Sequence, residues 1–584
     1  KSAKSSYEAQ LARNKNPKSF YKYIRDTLGG SVRKPQLRDS TGALISDNDK
    51  IANIFADTFA EAYTAEPSSN PPVVFTPRCT ASLTNVEFLE QEVYTRLRKL
   101  KKTKSPGPDD LSAAILNECA LSLCKPLSLL MQQSFITGEL PNDWRTATVK
   151  PIFKKGDQLD AGNFRPISLT SLISKLMESI ICHTMMKFLL EHKIIPAEQH
   201  GFVPKRSVIT NLLSCLNDWS RELDNDNPVD VIYFDYIKAF DKVPTRRLLH
   251  KLEHFGIRGG LLKWIEGFLS FRTFRVKIDG CLSNSQKVLS GVPQGTVLGP
   301  ILFIVYIADL TVELSSPFAL FADDLKLYNT SKNNNVLKAD LITLYAWTQK
   351  WLMPFNMKKC CVLHLGRNNP KMQYNLGGHV LQCVSSQIDL GITITEDLSW
   401  SSHILSVVKK ANSIGYLIRK AFPCAPIEII AKLHKTYVRP ILEYANSVWH
   451  PILVRDKQLL ESVQRRITRI PFGFHRPSYE DRLKIMKLPT IEHRKVRGDV
   501  ITTFKILSQL DSPIRHLFST SADPRTRGHR LKLRKYAFKT RMRQFFLPER
   551  VFGIWNSLSP NIIESSSLIS FKIALDTWFV GHHN

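Results

Sequence analysis

Two kinds of hydrophobic pattern alternate along most of the chain. Stretches with apolar residues three and four apart predict helices, and short β-prone runs bounded by Gly, Pro, Asn or Asp predict strands. Residues 1–64 read as helical and polar, with Pro17 as a break or helix start. Ser46 and Asp47 are good N-cap types, and Ile51, Ile54, Phe55 and Phe59 follow on one helical face. Another amphipathic helix is expected over 86–100. Residues 144–153 are rich in β-formers. A basic turn, Lys154-Lys155-Gly156-Asp157, leads to a second strand through Phe164-Arg165-Pro166-Ile167-Ser168, which predicts a hairpin. Helices are expected over 169–190, 208–223 and 245–269, and two strands around Asp279-Gly280. Val231-Ile232-Tyr233-Phe234 is strongly β-prone and ends at Asp235. Further strands read as 361–365 and 388–394, the latter one run with Gly391 inside it. Beyond about residue 395 the pattern turns helical, over 400–419, 427–437 and 456–470. The class is α+β.

Length and charge narrow this picture. At about 150 residues per domain, 584 residues suggest around four units. The 81 basic and 52 acidic residues leave a net charge of +29, which points to a polyanionic partner. A membrane is disfavoured, because the longest apolar run, 297–307, has 11 residues and contains Gly299-Pro300. Ten scattered cysteines fit neither a disulfide framework nor a Cys-x-x-Cys metal site, so a reducing compartment is expected. Residues 66–82 are Pro- and Ser-rich and read as a linker. The first residue is Lys1, so a piece of a longer product is expected.

Chemistry concentrates at a few acids. In Phe321-Ala322-Asp323-Asp324 two carboxylates sit between mostly apolar runs. If a hairpin turn aims both at one point, they repel and raise each other's pKa unless a cation holds them. A solvated Asp-Asp turn is the plain alternative, and Asp109-Asp110 shows that such pairs recur. Asp235 supplies a third acid at a strand end, followed by a turn with Phe240 and Asp241. An Asp capping the next helix, with Phe240 in the core, is the alternative there. Lys154, Lys155 and Arg165 suit a triphosphate, or a solvated basic turn. In Ser290-Gly291-Val292-Pro293-Gln294-Gly295-Thr296 the glycines permit close backbone approach to a ligand, and Gln294 offers a donor and an acceptor; an ordinary Gly-Pro loop before a core helix is the alternative. The loop before Pro106 carries Lys99, Lys101, Lys102 and Lys104, and could meet a nucleic-acid backbone or only solvent. From Arg525 to Arg550 ten Lys or Arg stand against one Glu, with Phe538, Phe545, Phe546 and then Trp555 interleaved. These aromatics could stack bases or fill a core.

Strand-end Asp235, the Ser290–Gly295 stretch and Phe321-Ala322-Asp323-Asp324, in this order, resemble the motifs of reverse transcriptases. Lys104-Ser105-Pro106-Gly107-Pro108-Asp109, Phe164-Arg165-Pro166-Ile167-Ser168, Gln199-His200-Gly201-Phe202, Lys238-Ala239-Phe240-Asp241-Lys242-Val243 and Leu390-Gly391-Ile392 look like those of non-LTR, LINE-type retrotransposons, jockey-like in particular. So do Pro440-Ile441-Leu442-Glu443-Tyr444, Trp449-His450-Pro451, and Arg543-Gln544-Phe545-Phe546 with Trp555-Asn556.

The resemblance implies a right-hand polymerase with helical N- and C-terminal extensions. Its parts would be an N-terminal segment and linker (1–75), an extension of the fingers (76–145), fingers and palm (146–395), a helical thumb (396–480) and a basic C-terminal region (481–584). It implies an RNA-directed DNA polymerase with an RNA template, a DNA primer or target and dNTPs as partners, working in nucleus and cytoplasm. Asp235, Asp323 and Asp324, with the carbonyl of Tyr236, would hold two Mg²⁺ ions. By the same likeness Asp323 shares a metal with Asp235, and Asp324 is more dispensable. Lys154, Lys155 and Arg165 would touch the triphosphate, and Gln294 and Gly295 the nascent base pair. Phe240 would exclude a ribose 2′-hydroxyl, and Lys359 (or its neighbour Lys358) would stand near the pyrophosphate. The short N-terminal segment is not expected to hold the endonuclease that such elements usually encode. Two rivals are an RNA-dependent RNA polymerase, which wants a polar residue at Phe240, and a catalytically silent nucleic-acid-binding derivative.

Overall fold

The computed structural model describes residues 2–14, 16–29, 36–39, 41–64, 66, 79–423, 425–473, 477–520 and 528–582. Most of the expected linker, together with Cys424 and Arg525, lies outside them. The fold is α+β. Its centre is a five-stranded sheet in the order Gln382–Val384, Cys361–Leu365, Val229–Phe234, Asp324–Thr330, Phe318–Phe321. Its neighbours run antiparallel except the pair Cys361–Leu365 and Gln382–Val384. Every residue of Val229–Phe234 is buried. Side chains alternate across a strand, so Ile232 and Phe234 enter one core while Val229, Val231 and Tyr233 enter another. Leu325 and Leu327 against Tyr328, and Val362 against Cys361 and Leu363, follow the same division. The sheet is the wall between the two large cores. That is why its central strand is apolar from Val231 to Phe234, while the buried Asp230 is held by His364, Asn369 and Tyr374.

A second sheet carries the expected hairpin. Thr146–Phe153 pairs antiparallel with Phe164–Leu169, with Phe153 opposite Phe164, and parallel with Thr273–Ile278. The helix Asn48–Ala60 closes one face of this sheet. Its Ile51, Phe55 and Phe59 meet Val149, Phe274 and Val276 in a third, smaller core. Asp47 caps that helix, accepting from the Lys50 amide at 2.9 Å.

Residues 401–582 are mostly helical. Ser401–Ala421 packs along Val454–Ile467, and the N-terminal helices dock on the same region. Pro17 opens the second of these helices, and Phe20 stacks on Tyr437 with ring centres 3.7 Å apart. Arg13, Lys18, Lys22 and Arg25 stay exposed. Among the described residues no helix is long and apolar enough to cross a membrane.

The structure corrects two expectations. Residues 388–394 are not one strand but part of a hairpin, Ser386–Asp389 against Ile392–Thr395. Leu390 and Gly391 turn it with φ of 47° and 86°, so Gly391 marks a turn of positive φ, not an interruption within a strand. The helix expected over 86–100 is shorter, Glu90–Arg98. The C-terminal aromatics divide. Trp555 and Phe546 are buried in the core, Phe545 stacks on His450, and Phe538 is half-buried.

Candidate active site

The pairing register assembles the acids. Phe234 stands opposite Leu325, and Phe321 opposite Asp324. Continuing the first ladder by one residue sets Asp235 across from Asp324, on one face. Ala322 and Asp323 form the two-residue turn, with Ala322 buried at a left-handed φ of 56°. Holding a non-glycine residue there costs on the order of 1–2 kcal/mol, so the surroundings must enforce it. Desolvation in the cleft raises the Asp323 carboxyl, and the charge of Asp235 adds to the shift. Asp324 is pushed up to about 6, first by desolvation and then by Asp323. Asp323 thus repels Asp324, as the sequence suggested, but burial is the larger cause at both carboxyls.

Cations face these acids. Lys359 Nζ donates to Asp235 Oδ2 at 2.6 Å, which selects Lys359 over Lys358. The Asp235 carbonyl accepts from the Asn356 amide at 2.6 Å, and Tyr236 is bridged to Phe355, so the strand end is pinned. Lys154 is held below the usual lysine range by partial desolvation and then by the charges of Arg165 and Lys359. The charge of Arg165 only partly offsets the rise that desolvation causes at Asp241 and Asp323. A cavity of about 230 Å³ opens among Lys154, Lys155, Asp235, Asp324 and Lys359. The hairpin tip and both strand ends therefore meet.

Phe240 lies in the short helix Ala239–Lys242, reached through Lys238 at a φ of 48°. Its ring stacks on Phe303 (4.5 Å) and meets Phe202 edge-on (6.3 Å). Its carbonyl accepts from the Val292 amide. The loop at 290–296 packs on this turn. The Gln294 amide donates to Asp241, and its carbonyl accepts from the Ser168 amide. A Cβ at Gly295 would lie 2.3 Å from the Ser168 carbonyl, and one at Gly291 would lie 2.7 Å from that of Asp241. The close approach these glycines permit is to the chain's own backbone. Asp241 is not a helix cap; desolvation first of all pushes its carboxyl up to about 6. Asp109-Asp110 is a local turn, with Asp109 accepting from the Leu111 amide and Asp110 at a φ of 51°.

Two features were missed in the sequence. Lys326 and Asp389 form a buried ion pair of 2.5 Å beside the cavity. Gln199 reaches the hairpin that carries Asp323 and Asp324. A lysine inside an apolar strand run was a visible signal for the first. The second stood in the Gln199–Phe202 stretch quoted for the family likeness, with no contact or role assigned to it.

The donor set is all carboxylate oxygen, which suits a hard divalent cation, and a cation would relieve the raised carboxyls. Among the described residues no three acidic, histidine or cysteine side chains already close into a metal-binding ring.

Residues 152–417 match the family model for reverse transcriptase (RNA-dependent DNA polymerase). The chain is 27% identical to the RNA-directed DNA polymerase from mobile element jockey of Drosophila melanogaster, over 68% of this chain and 46% of that protein. It is 24% identical to the probable RNA-directed DNA polymerase from transposon BS of the same fly, over 77% of this chain and 52% of that protein. A Pol polyprotein from type-1 retrotransposable element R1 of Bradysia coprophila is 23% identical over 80% of the chain. The chain spans about half the length of these curated relatives. Residues 152–417 are thus similar to reverse transcriptases, and the similarity extends beyond them to the RNA-directed DNA polymerases of non-LTR retrotransposons.

Proposed function

We propose that the chain is an RNA-directed DNA polymerase that copies retrotransposon RNA into cDNA from a DNA primer. One observation carries this reading: the central sheet brings Asp235 and Asp323-Asp324 to adjoining strand ends, facing Lys154, Arg165 and Lys359. In hand terms the central sheet is the palm, the second sheet belongs to the fingers and the helices from Ser401 form the thumb.

Asp235, Asp323 and Asp324, with the Tyr236 carbonyl, would hold two Mg²⁺ ions. When bound, these supply Lewis-acid activation of the primer 3′-hydroxyl and neutralise charge on the departing pyrophosphate. The chain's own residues do the rest. Lys154, Lys155 and Arg165 bind the triphosphate through charge-assisted hydrogen bonds. Lys359 exchanges Asp235 for phosphate oxygen and so follows the negative charge. Phe240, fixed by Phe303, fills the space of a 2′-hydroxyl and selects dNTPs. Gln294 holds the Asp241 turn that carries Phe240, and Gly295 seats that loop on the second sheet. Template and primer lie against the basic surface that gives the chain its +29 charge. Work on chromosomal DNA would require access to the nucleus.

Primer extension tests this reading. With an RNA template, DNA primer and Mg²⁺, extension is expected with dNTPs and not rNTPs, and Asp323→Ala should abolish it. Extension with rNTPs alone would favour an RNA-dependent RNA polymerase. Tight RNA binding without extension would favour a silent binding protein.

A further inference from the structure

The turn that carries Asp323 is held by a segment with no part in the scheme above. Glu198-Gln199-His200-Gly201 runs as an added edge beside Phe318–Phe321, with Gln199 bridged to Leu320. The Leu320 amide donates to the Glu198 carbonyl at 3.0 Å, and the His200 amide donates to the Leu320 carbonyl at 2.8 Å. Asn211 Nδ2 donates to that same carbonyl at 3.1 Å. Gln199 is 1% exposed. Its Oε1 accepts from two amides, Gly201 and Ala322, both at 2.9 Å. Both partners are N–H donors, so only an oxygen can occupy that position, and the orientation of the side-chain amide is fixed. Arg206 Nη1 donates to the Gln199 carbonyl at 2.5 Å and keeps the segment in place.

Gly201 completes the arrangement. An added Cβ would lie 2.3 Å from the Ala322 amide nitrogen and 2.9 Å from the Phe321 carbonyl carbon. The backbones of the two segments are therefore in direct contact at the residue that precedes Asp323. One position further, Phe202 meets the Phe240 ring. A single stretch of four residues touches both the acid turn and the Phe240 ring.

We propose that Gln199 is a positioning residue: by accepting the Ala322 amide, with Gly201 packed beneath, it fixes the left-handed turn that aims Asp323. This rests on the polymerase reading above. Gln199 touches no substrate; it acts through Ala322. The residue of unfavourable φ is thus held on both sides, its amide by a buried acceptor and its backbone by Gly201.

The test pairs extension kinetics with hydrogen–deuterium exchange of a peptide spanning 318–325. Gln199→Leu keeps the size and removes the acceptor. It is expected to raise exchange in that peptide and to lower kcat on the order of 10²-fold, because small misplacement of reacting groups has that effect. KM for dNTPs and affinity for template RNA should stay within about twofold, since neither binding surface is touched. Gly201→Ala, which adds only a methyl group against Ala322, should give the same split. Gln199→Glu retains an acceptor oxygen and should restore protection and part of kcat. The proposal is overturned if Gln199→Leu folds and leaves exchange and kcat unchanged, or if Gln199→Glu behaves no better than Gln199→Leu in both. If wild type itself fails to extend a primer, the polymerase reading falls, and exchange alone decides the role of Gln199.

Discussion

At the scale of single residues, the two acids of the turn are not equivalent, and two arguments about them compete. Family likeness ranks Asp323 first, as the partner of Asp235 for a shared metal. The register sets Asp324 across from Asp235, and Asp324 carries the raised carboxyl near 6. The position of Asp323 in the turn, with Ala322 tied to Gln199, favours the first ranking as a prediction, because the more constrained carboxylate would be the better fixed ligand. Asp323→Asn should reduce extension by roughly 10²–10³-fold, the cost of losing one preorganised charge-stabilising group, and Asp324→Asn by clearly less. Equal losses would reverse the argument. Phe240 allows a second residue-scale prediction. Its ring is stacked on Phe303 at 4.5 Å, so Phe303→Ala should free it to swing without touching substrate. Incorporation of rNTPs relative to dNTPs should rise on the order of tenfold, in line with a loss of about 1.4 kcal/mol of discrimination. An unchanged ratio would mean that the ring is held by other contacts.

At the scale of elements, the hairpin Ser386–Asp389 and Ile392–Thr395 is fastened to the central sheet by Lys326 and Asp389, each 5% exposed. Removing one partner leaves an unpaired buried charge, so Lys326→Met or Asp389→Leu alone should destabilise by about 3–5 kcal/mol, while the double variant should recover most of that loss. Urea unfolding midpoints of the four proteins measure the coupling, and additive losses would sink it. This hairpin also shows what the sequence conceals. The strand Val229–Phe234, the hairpin at Phe321-Ala322-Asp323-Asp324 and the helix capped by Asp47 were legible, because each combines a clean period with a terminator. Residues 388–394 were misread because the apolar alternation continues through a two-residue turn, leaving Gly391 as the one mark of positive φ. Among candidate site residues, Asp235, Lys154 and Arg165 were singled out from chemistry and order, and Lys359 only through the family resemblance. Gln199 stood within the stretch quoted for that resemblance but with no role, because its contact is made 123 residues away. The glycines at 291 and 295 were read as ligand-facing, whereas their neighbours are Asp241 and Ser168. A sequence shows that backbone must come close and does not show to what.

At the scale of the whole molecule, the central sheet separates two large cores, and the core shared with the helical region carries buried histidines. His403 and His434 have carboxyl-range pKa values of about 4, and His450 about 2, chiefly through desolvation. Their contacts agree with neutral rings: His434 donates through Nε2 to Gln464, and its Nδ1 has no partner among the described residues. His403 Nδ1 accepts from the Thr393 amide at 3.3 Å. In the unfolded chain each histidine titrates near 6.5. Between that value and the folded one, the unfolded state binds more protons, so stability is fully present above about pH 6.5 and is lost as pH falls toward about 4. The loss by about pH 5 is about 1–2 kcal/mol for each histidine. Charging them also adds to a molecule already at +29, so self-repulsion acts in the same direction. The helical region should therefore yield to acid first. Urea melts followed by helical circular dichroism at about pH 7.5 and about pH 5 should show the midpoint falling in acid, and His434→Gln should flatten that dependence. His434→Gln keeps a donor toward Gln464 and cannot become charged, so it separates titration from packing. A midpoint with the same pH dependence in His434→Gln as in wild type would mean that this ring is already charged, or solvated, in the folded protein.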